Sequence, residues 1–188
     1  MTIVVTGAAG FLGQAVVRAL AKAGHSVVAV DRVESPSLEG ERVRFVRADL
    51  SAPDDLSSLF SQTGPGAVLV HLAWEMRRHL GFAVQAEALR QFAALLEHAA
   101  AHGVVRVVAM GSAEEYGACD GVIREDVTPV PPLSPYGWAK RAAHDLAAAW
   151  QARVGLPVAW LRPFVIYGPG QRGEMMIPYA VDCARRGV

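Results

Sequence analysis

Between Thr6 and Gly13 the chain carries three glycines, at positions 7, 10 and 13, where one hydrophobic pattern gives way to another. Before them stands a short apolar run, Ile3-Val4-Val5, and after them a helical pattern runs from Phe11 to Ala23. Strand, glycine turn and helix therefore begin at the second residue. Each glycine has its own job. Gly7 permits the tight turn, Gly10 admits a close approach to the backbone, and Gly13 lets helix and strand pack together. The N–H groups that open a helix lack partners and carry the positive end of its dipole, so an anionic group is favoured in front of them. A second apolar run, Val27-Val28-Ala29-Val30, ends in Asp31, eighteen residues beyond Gly13. An acid at that spacing binds the hydroxyls of a ribose, so turn and acid together read as a dinucleotide site. Its candidate residues are Gly7, Ala9, Gly10, Phe11, Leu12, Gly13, Asp31 and Arg32.

The rest of the chain repeats the alternation. Further strands are expected at 43–46, 67–71, 104–110 and 158–161, with helices at 53–61, 82–102, 134–153 and 175–186. Pro53-Asp54-Asp55 has the proline and acids that suit a first helical turn, and Ser134-Pro135 reads as a cap and first helical residue. Leu89, Phe92, Leu95 and Leu96 form one stripe of the long helix. The run 104–110 is apolar enough to be covered on both faces. The polar segment 111–133, with Pro129, Pro131 and Pro132, is too long for a plain connection and reads as a loop over a site. Strands alternating with helices mean an α/β fold, a Rossmann-like doubly wound parallel sheet with helices on both faces and the ligand across the carboxyl ends of the strands.

Bulk properties exclude several classes. The 188 residues suit one domain, and 52% apolar against 19% charged residues supplies a core. Eighteen basic residues balance eighteen acidic ones, so neither nucleic acid nor an anionic membrane is an expected partner. The two cysteines, Cys119 and Cys183, and the histidines 25, 79, 98, 102 and 144 have no metal-ligand spacing, and no metal is expected. Free thiols, the immediate first strand and the lack of a membrane-length apolar run read as a cytoplasmic protein.

Tyr136 and Lys140 stand four residues apart on a helical pattern, so phenol and ammonium share one face. The chain has four tyrosines and only two lysines, which makes the pairing informative. An ammonium beside a phenol favours the phenolate, as a base near neutral pH requires. Ser112 ends a strand on the ligand side of the sheet, where its hydroxyl would hold a substrate oxygen or simply serve the turn.

These motifs resemble the extended short-chain dehydrogenase/reductases, and among them the NAD-dependent epimerase/dehydratase family that acts on sugar nucleotides. The resemblance rests on Thr6-Gly-x-x-Gly-x-x-Gly13, Asp31, His71-Leu-Ala, Gly111-Ser112 with Tyr116-Gly117, Ser134-Pro-Tyr136-Gly-x-x-Lys140, and Arg162-Pro-Phe with Tyr167-Gly-Pro-Gly-Gln171. It implies a catalytic set of Ser112, Tyr136 and Lys140, with Lys140 also on the nicotinamide ribose. It further implies cofactor contacts from Asp49, Leu50, Leu72, Ala73 and Pro163. Asp31 points to NAD, and Arg32 keeps NADP as the alternative. Two positions depart from the family. Ala88 and Val165 stand where asparagines are usual, and valine donates no hydrogen bond to a substrate diphosphate.

The family's further C-terminal lobe, which binds the substrate's nucleotide, is expected to be absent or truncated after residue 188. The segment 171–188 follows the family pattern without a terminal cap, which reads as a fragment. Substrate binding by other means is the alternative. Arg77 and Arg78 stand where they would pair with phosphates or lie on a solvated face, and Glu114 reads equally as a catalytic acid or a loop charge. The alanine-rich helix from Ala139, with the 82–102 helix, is expected either to form a homodimer seam or to pack on the sheet. Dehydratases resemble one another in an acidic pair after the Ser/Thr, and here those positions read Ala113-Glu114. The expected reaction is therefore 4-epimerisation of a nucleotide sugar. A nucleotide-sugar 4-ketoreductase stands second and a dehydratase third, and a non-catalytic dinucleotide sensor is the alternative of another class.

Overall fold

The structure is a computed structural model that describes residues 1–38, 40–77, 80–128 and 131–187. Its strands are β1 (Thr2–Thr6), β2 (Ser26–Asp31), β3 (Val43–Arg47), β4 (Val68–His71), β5 (Arg106–Met110) and β6 (Val158–Leu161). The helices are α1 (Phe11–Lys22), α2 (Pro53–Thr63), α3 (Phe82–Ala101), α4 (Pro135–Val154) and α5 (Met176–Arg186). All six strands are parallel in the order β3-β2-β1-β4-β5-β6. The order reverses between β1 and β4, which opens a crevice at their carboxyl ends. Both strands end there, at Thr6 and His71, whose Oγ1 and Nδ1 share a buried 2.8 Å hydrogen bond.

Strand alternation divides the core. Val4, Val28, Leu69, Val107 and Ala109 face α2, α3 and α4, which contribute Leu56, Phe60, Phe92, Leu95, Leu96, Ala143 and Ala147. Ile3, Val5, Val27 and Ala29 face α1 through Val17. The alanines of α4 thus serve packing, since small side chains let it lie close to the sheet and to α3. Ser134 caps α4 by accepting from the Gly137 N–H at 2.9 Å, with Pro135 in the first turn, as the sequence indicates.

Two expectations change. The fifth strand starts at Arg106 rather than Val104, and only alternate residues of it are buried. Its second face is not sealed, because α1 covers the β1–β2 side and α5 has no buried residue. The last helix does carry a terminal cap: Gly187 is left-handed, at φ 73°, and its N–H reaches the Ala184 and Cys183 carbonyls. No helix among the described residues is long and apolar enough to cross a membrane.

Candidate active site

The glycine turn works by close approach. Gly7 has φ +72°, and a Cβ on it would lie 2.6 Å from the Ala73 backbone nitrogen, so β1 and β4 meet over it. A Cβ on Gly13 would collide with the Gly7 carbonyl and reach within 2.7 Å of Ala8 Cα. Gly10, on the exposed lip, would meet only the Gly7 carbonyl, at 3.2 Å. Gly10 is also the N-cap of α1, which has no side-chain cap and no acid in its first turn. The N–H groups of Phe11, Leu12 and Gly13 are thereby left to an external acceptor.

Asp31 closes the far side of the turn. One carboxylate oxygen accepts from the Ala9 N–H at 3.0 Å and the other from the Val33 N–H at 3.1 Å. A carboxylate has about four acceptor positions, so lone pairs remain for a diol. A cleft of about 550 Å³ runs from here across the switch point and is lined by Gly7, Ala9, Gly10, Asp31, Arg32, Asp49, Leu50, Leu72 and Ala73. Of the expected cofactor residues, Phe11, Leu12, Gly13, Tyr136, Lys140 and Pro163 do not line its wall. The first three face it only through the end of α1. Pro163 instead accepts from the Ala113 N–H at 3.0 Å, joining the ends of β5 and β6. Arg172, which sequence reasoning passed over, does line the cleft.

Tyr136 and Lys140 lie beneath one end of this cleft, each only 3% exposed. The Tyr136 hydroxyl donates to Met76 Sδ at 3.7 Å. Lys140 Nζ donates to the Met110 carbonyl at 2.7 Å and sits 3.7 Å from the centroid of the Trp74 ring. Burial pulls the Lys140 pKa down to about 7, opposed by the charge of Glu115. Trp74 is held by Gln85, whose Oε1 accepts from Trp74 Nε1 at 3.0 Å and whose amide donates to the Glu75 carbonyl at 3.2 Å. Trp74 and the fully buried Gln85 were not among the expected site residues. A glutamine on the apolar stripe of α3 was their only signal.

Ser112 leaves β5 in an extended conformation and caps a short 3-10 helix, Ala113–Tyr116. Its Oγ accepts from the Glu114 N–H at 3.2 Å. Gly137 lets α4 sit against that helix, since a Cβ there would lie 2.6 Å from the Glu114 carbonyl oxygen. The packing brings Ser112, Tyr136 and Lys140 to one end of the sheet. Glu114 accepts from the Ser134 hydroxyl at 2.7 Å. Arg77 is clasped by Glu75 through bonds of 2.9 and 2.7 Å, and its guanidinium holds the Glu75 pKa down to about 2. Arg78 and His79 lie outside the described residues. Val165 is 61% exposed on the loop after β6, away from the cleft lining.

His71 is buried beneath the cleft, stacked on Phe92 with ring centroids 5.1 Å apart. Burial, and secondarily the Lys140 charge, lower its pKa from 6.5 to about 3. The unfolded chain therefore binds a proton below pH 6.5 that the folded chain refuses until about 3. Its contribution to stability is complete above the unfolded value and is lost as pH falls through this window, by up to about 1.4 kcal/mol per pH unit. Denaturation midpoints measured from pH 7 to pH 4 should fall less steeply for His71→Gln, and equal slopes would remove His71 as the cause.

Sheet order, glycine turn and strand-end acid define a dinucleotide-binding protein of the doubly wound α/β class. The chain belongs to the NAD dependent epimerase/dehydratase family, whose model matches residues 3–188. It is 32% identical to the uncharacterized UDP-glucose epimerase YtcB of Bacillus subtilis (strain 168), over 93% of this chain and 60% of that one. It is 33% identical to a dTDP-glucose 4,6-dehydratase of Streptomyces niveus, over 95% of this chain and 57% of the relative. Among solved structures it resembles MoeE5 in complex with UDP-glucuronic acid and NAD, with 38% identity, a TM-score of 0.84, and coverage of 100% of this chain and 62% of MoeE5. MoeE5 is also solved with UDP-glucose and NAD. The chain thus spans about three fifths of the length of these relatives.

Proposed function

We propose that this chain is the NAD-binding and catalytic part of a sugar-nucleotide 4-epimerase. Residues 1–188 would form the dinucleotide-binding domain, with the lobe that grips the sugar's nucleotide supplied by further polypeptide. The uncapped end of α1 above Gly10, beside a carboxylate with spare lone pairs, fits a dinucleotide diphosphate and its ribose. Gly7, Ala9, Gly10, Phe11, Leu12 and Gly13 would hold the diphosphate through backbone groups. Asp31 would hold the adenosine ribose, Asp49 and Leu50 the adenine, and Leu72 and Ala73 the nicotinamide side, with Lys140 on its ribose. NAD, when bound, supplies the acceptor and donor of a hydride. Tyr136 would take and return the proton of the sugar hydroxyl, and Ser112 would hold that oxygen.

The observation that carries the choice of reaction is the sequence after Ser112. Ala113 has no proton to give a leaving hydroxyl, and the Glu114 carboxylate accepts from Ser134 at 2.7 Å. Elimination of water needs an acid at the first position, so epimerisation, which needs only reversible hydride transfer and one base, is favoured. The complexes of MoeE5 with two UDP-sugars support a nucleotide-activated hexose as substrate. The test supplies the protein with NAD and a panel of UDP-, GDP- and dTDP-hexoses and follows the sugars by NMR. A C4-inverted sugar is expected, and a 4-keto-6-deoxy product would overturn the reading.

Cofactor choice follows from Asp31, which accepts from a 2′-hydroxyl and repels a 2′-phosphate. A ketoreductase that draws on NADPH is disfavoured for the same reason. Calorimetry should show NAD bound at least about tenfold more tightly than NADP, a difference of ~1.4 kcal/mol. Equal or tighter NADP binding, with Arg32 accepting the phosphate, would reverse the assignment. Phe82 and Trp138 form an exposed T-shaped pair at 5.7 Å on α3 and α4. It supports a homodimer seam there, readable as twice the chain mass by light scattering.

A further inference from the structure

We propose that Glu115 is a positioning residue of this site, a buried carboxylate that holds Ser112 by its backbone N–H and so sets where the Ser112 hydroxyl stands. The inference rests on the functional reading above, in which Ser112 holds the reacting oxygen. Glu115 is wholly buried. Its Oε1 accepts from the Ser112 N–H at 2.8 Å and from Trp160 Nε1 at 3.0 Å, and its Oε2 accepts from Arg162 Nε at 2.6 Å. Trp160 and Arg162 are two residues apart at the end of β6 and so present their side chains on one side of it. The Arg162 side chain is itself only 11% exposed, lies over the Tyr116 ring, and donates to the Tyr116 hydroxyl at 3.4 Å.

The space for this carboxylate is built into the backbone. A Cβ on Gly111 would collide with both Glu115 Oε1 and Trp160 Nε1, so the residue before Ser112 has no room for a side chain. The three N–H groups around the site are all taken. Gly111 donates to the Leu161 carbonyl at 2.7 Å and Ala113 to the Pro163 carbonyl at 3.0 Å, while Ser112 between them donates to Glu115. The carboxylate thus fixes Ser112 from one side, and the Glu114 N–H on its Oγ fixes the hydroxyl from the other, at 3.2 Å.

This reciprocal pairing is a capping box, which ordinarily needs no buried charge. Apolar side chains of similar volume often serve stability as well as a buried ion pair. What they cannot supply is an acceptor aimed at the Ser112 N–H. The Glu115 charge also opposes the loss of the Lys140 proton, so the same group acts on two members of the catalytic set.

Two double variants separate direction from packing. Glu115→Met with Arg162→Met removes the ion pair and the acceptor together, while Glu115→Gln with Arg162→Met removes the ion pair and keeps an amide oxygen for Ser112. Each is measured in the whole protein for thermal midpoint, NAD affinity, and kcat and KM with the nucleotide sugar that the wild type turns over. Both should fold and bind NAD within about threefold of wild type. The Met/Met protein should lose about 100-fold in kcat with KM little changed, as expected for a misplaced reacting group. The Gln/Met protein should recover to within about tenfold of wild type, since the amide oxygen restores the orientation. Wild-type kcat in the Met/Met protein, or equal losses in the two, would overturn the positioning role alone. A wild-type protein that turns over no nucleotide sugar would overturn the functional reading and this inference with it. If the Met/Met protein does not fold, Gln/Met activity at or below about one hundredth of wild type would overturn the proposal, and recovery would support it.

Discussion

Tyr136→Phe should lose about 1,000-fold in turnover while binding NAD as the wild type does, since a positioned proton carrier contributes roughly 10² to 10⁴. The separation is expected because the ring and the hydroxyl do different things. The ring is 3% exposed and packs at the start of α4, so phenylalanine keeps the packing. The bond from the hydroxyl to Met76 Sδ is long, 3.7 Å. Lys140 keeps its hold on the Met110 carbonyl and its place over Trp74 in the variant, and the cofactor side of the site is left intact. Calorimetry with NAD and turnover of the nucleotide sugar measure the two halves separately. A variant within about tenfold of wild-type kcat would remove Tyr136 as the proton carrier.

The second large effect is expected at Gly13, and it is sharpest in contrast with Gly10. Gly13→Ala forces a methyl into the Gly7 carbonyl and the Ala8 backbone, so α1 must withdraw from β1. Overpacking of this kind costs about 1–3 kcal/mol, and the displaced end of α1 no longer faces the diphosphate, so NAD affinity should fall at least about 100-fold. Gly10→Ala meets only one atom, at 3.2 Å, on the exposed lip. It should leave the denaturation midpoint nearly unchanged and weaken NAD binding by about tenfold, through contact with the ligand rather than the fold. Equal stability losses in the two variants would show that the separate jobs given to the two glycines are wrong.

The parts of this protein that were legible in its sequence are those made by neighbours along the chain. The glycine turn, the strand-end Asp31, the Ser134-Pro135 helix start and the Tyr136–Lys140 spacing each involve residues within about twenty positions, and local geometry dictates them. Strand and helix ends fell within two residues for the same reason, the end of α2 and the start of β5 being the furthest off. There Val104 and Val105 look like strand, but the Val105 N–H instead pairs with the Ala67 carbonyl outside the ladder.

Residue type alone therefore determined the alternation of strands and helices, the side of the sheet where a ligand belongs, and which polar residues gather there. Only the tertiary structure decided what those residues touch. Glu115 looks like a second loop acid beside Glu114, yet it is the buried one, because Arg162 and Trp160, more than forty positions on, close over it. Arg77 reads equally as a phosphate ligand or a charge on a solvated face, and the structure shows it exposed and clasped by Glu75. The ammonium of Lys140 is expected beside the phenol of Tyr136, and it does lie over that ring, 5.9 Å from its centroid, but the nearer ring is that of Trp74 from the β4–α3 connection, at 3.7 Å. For Glu115 and Lys140 the partner comes from a different crossover of the sheet, whereas the partner of Arg77 stands two residues away. The energy of a buried charge depends on those partners and on the water they exclude, and neither is encoded in spacing along the chain.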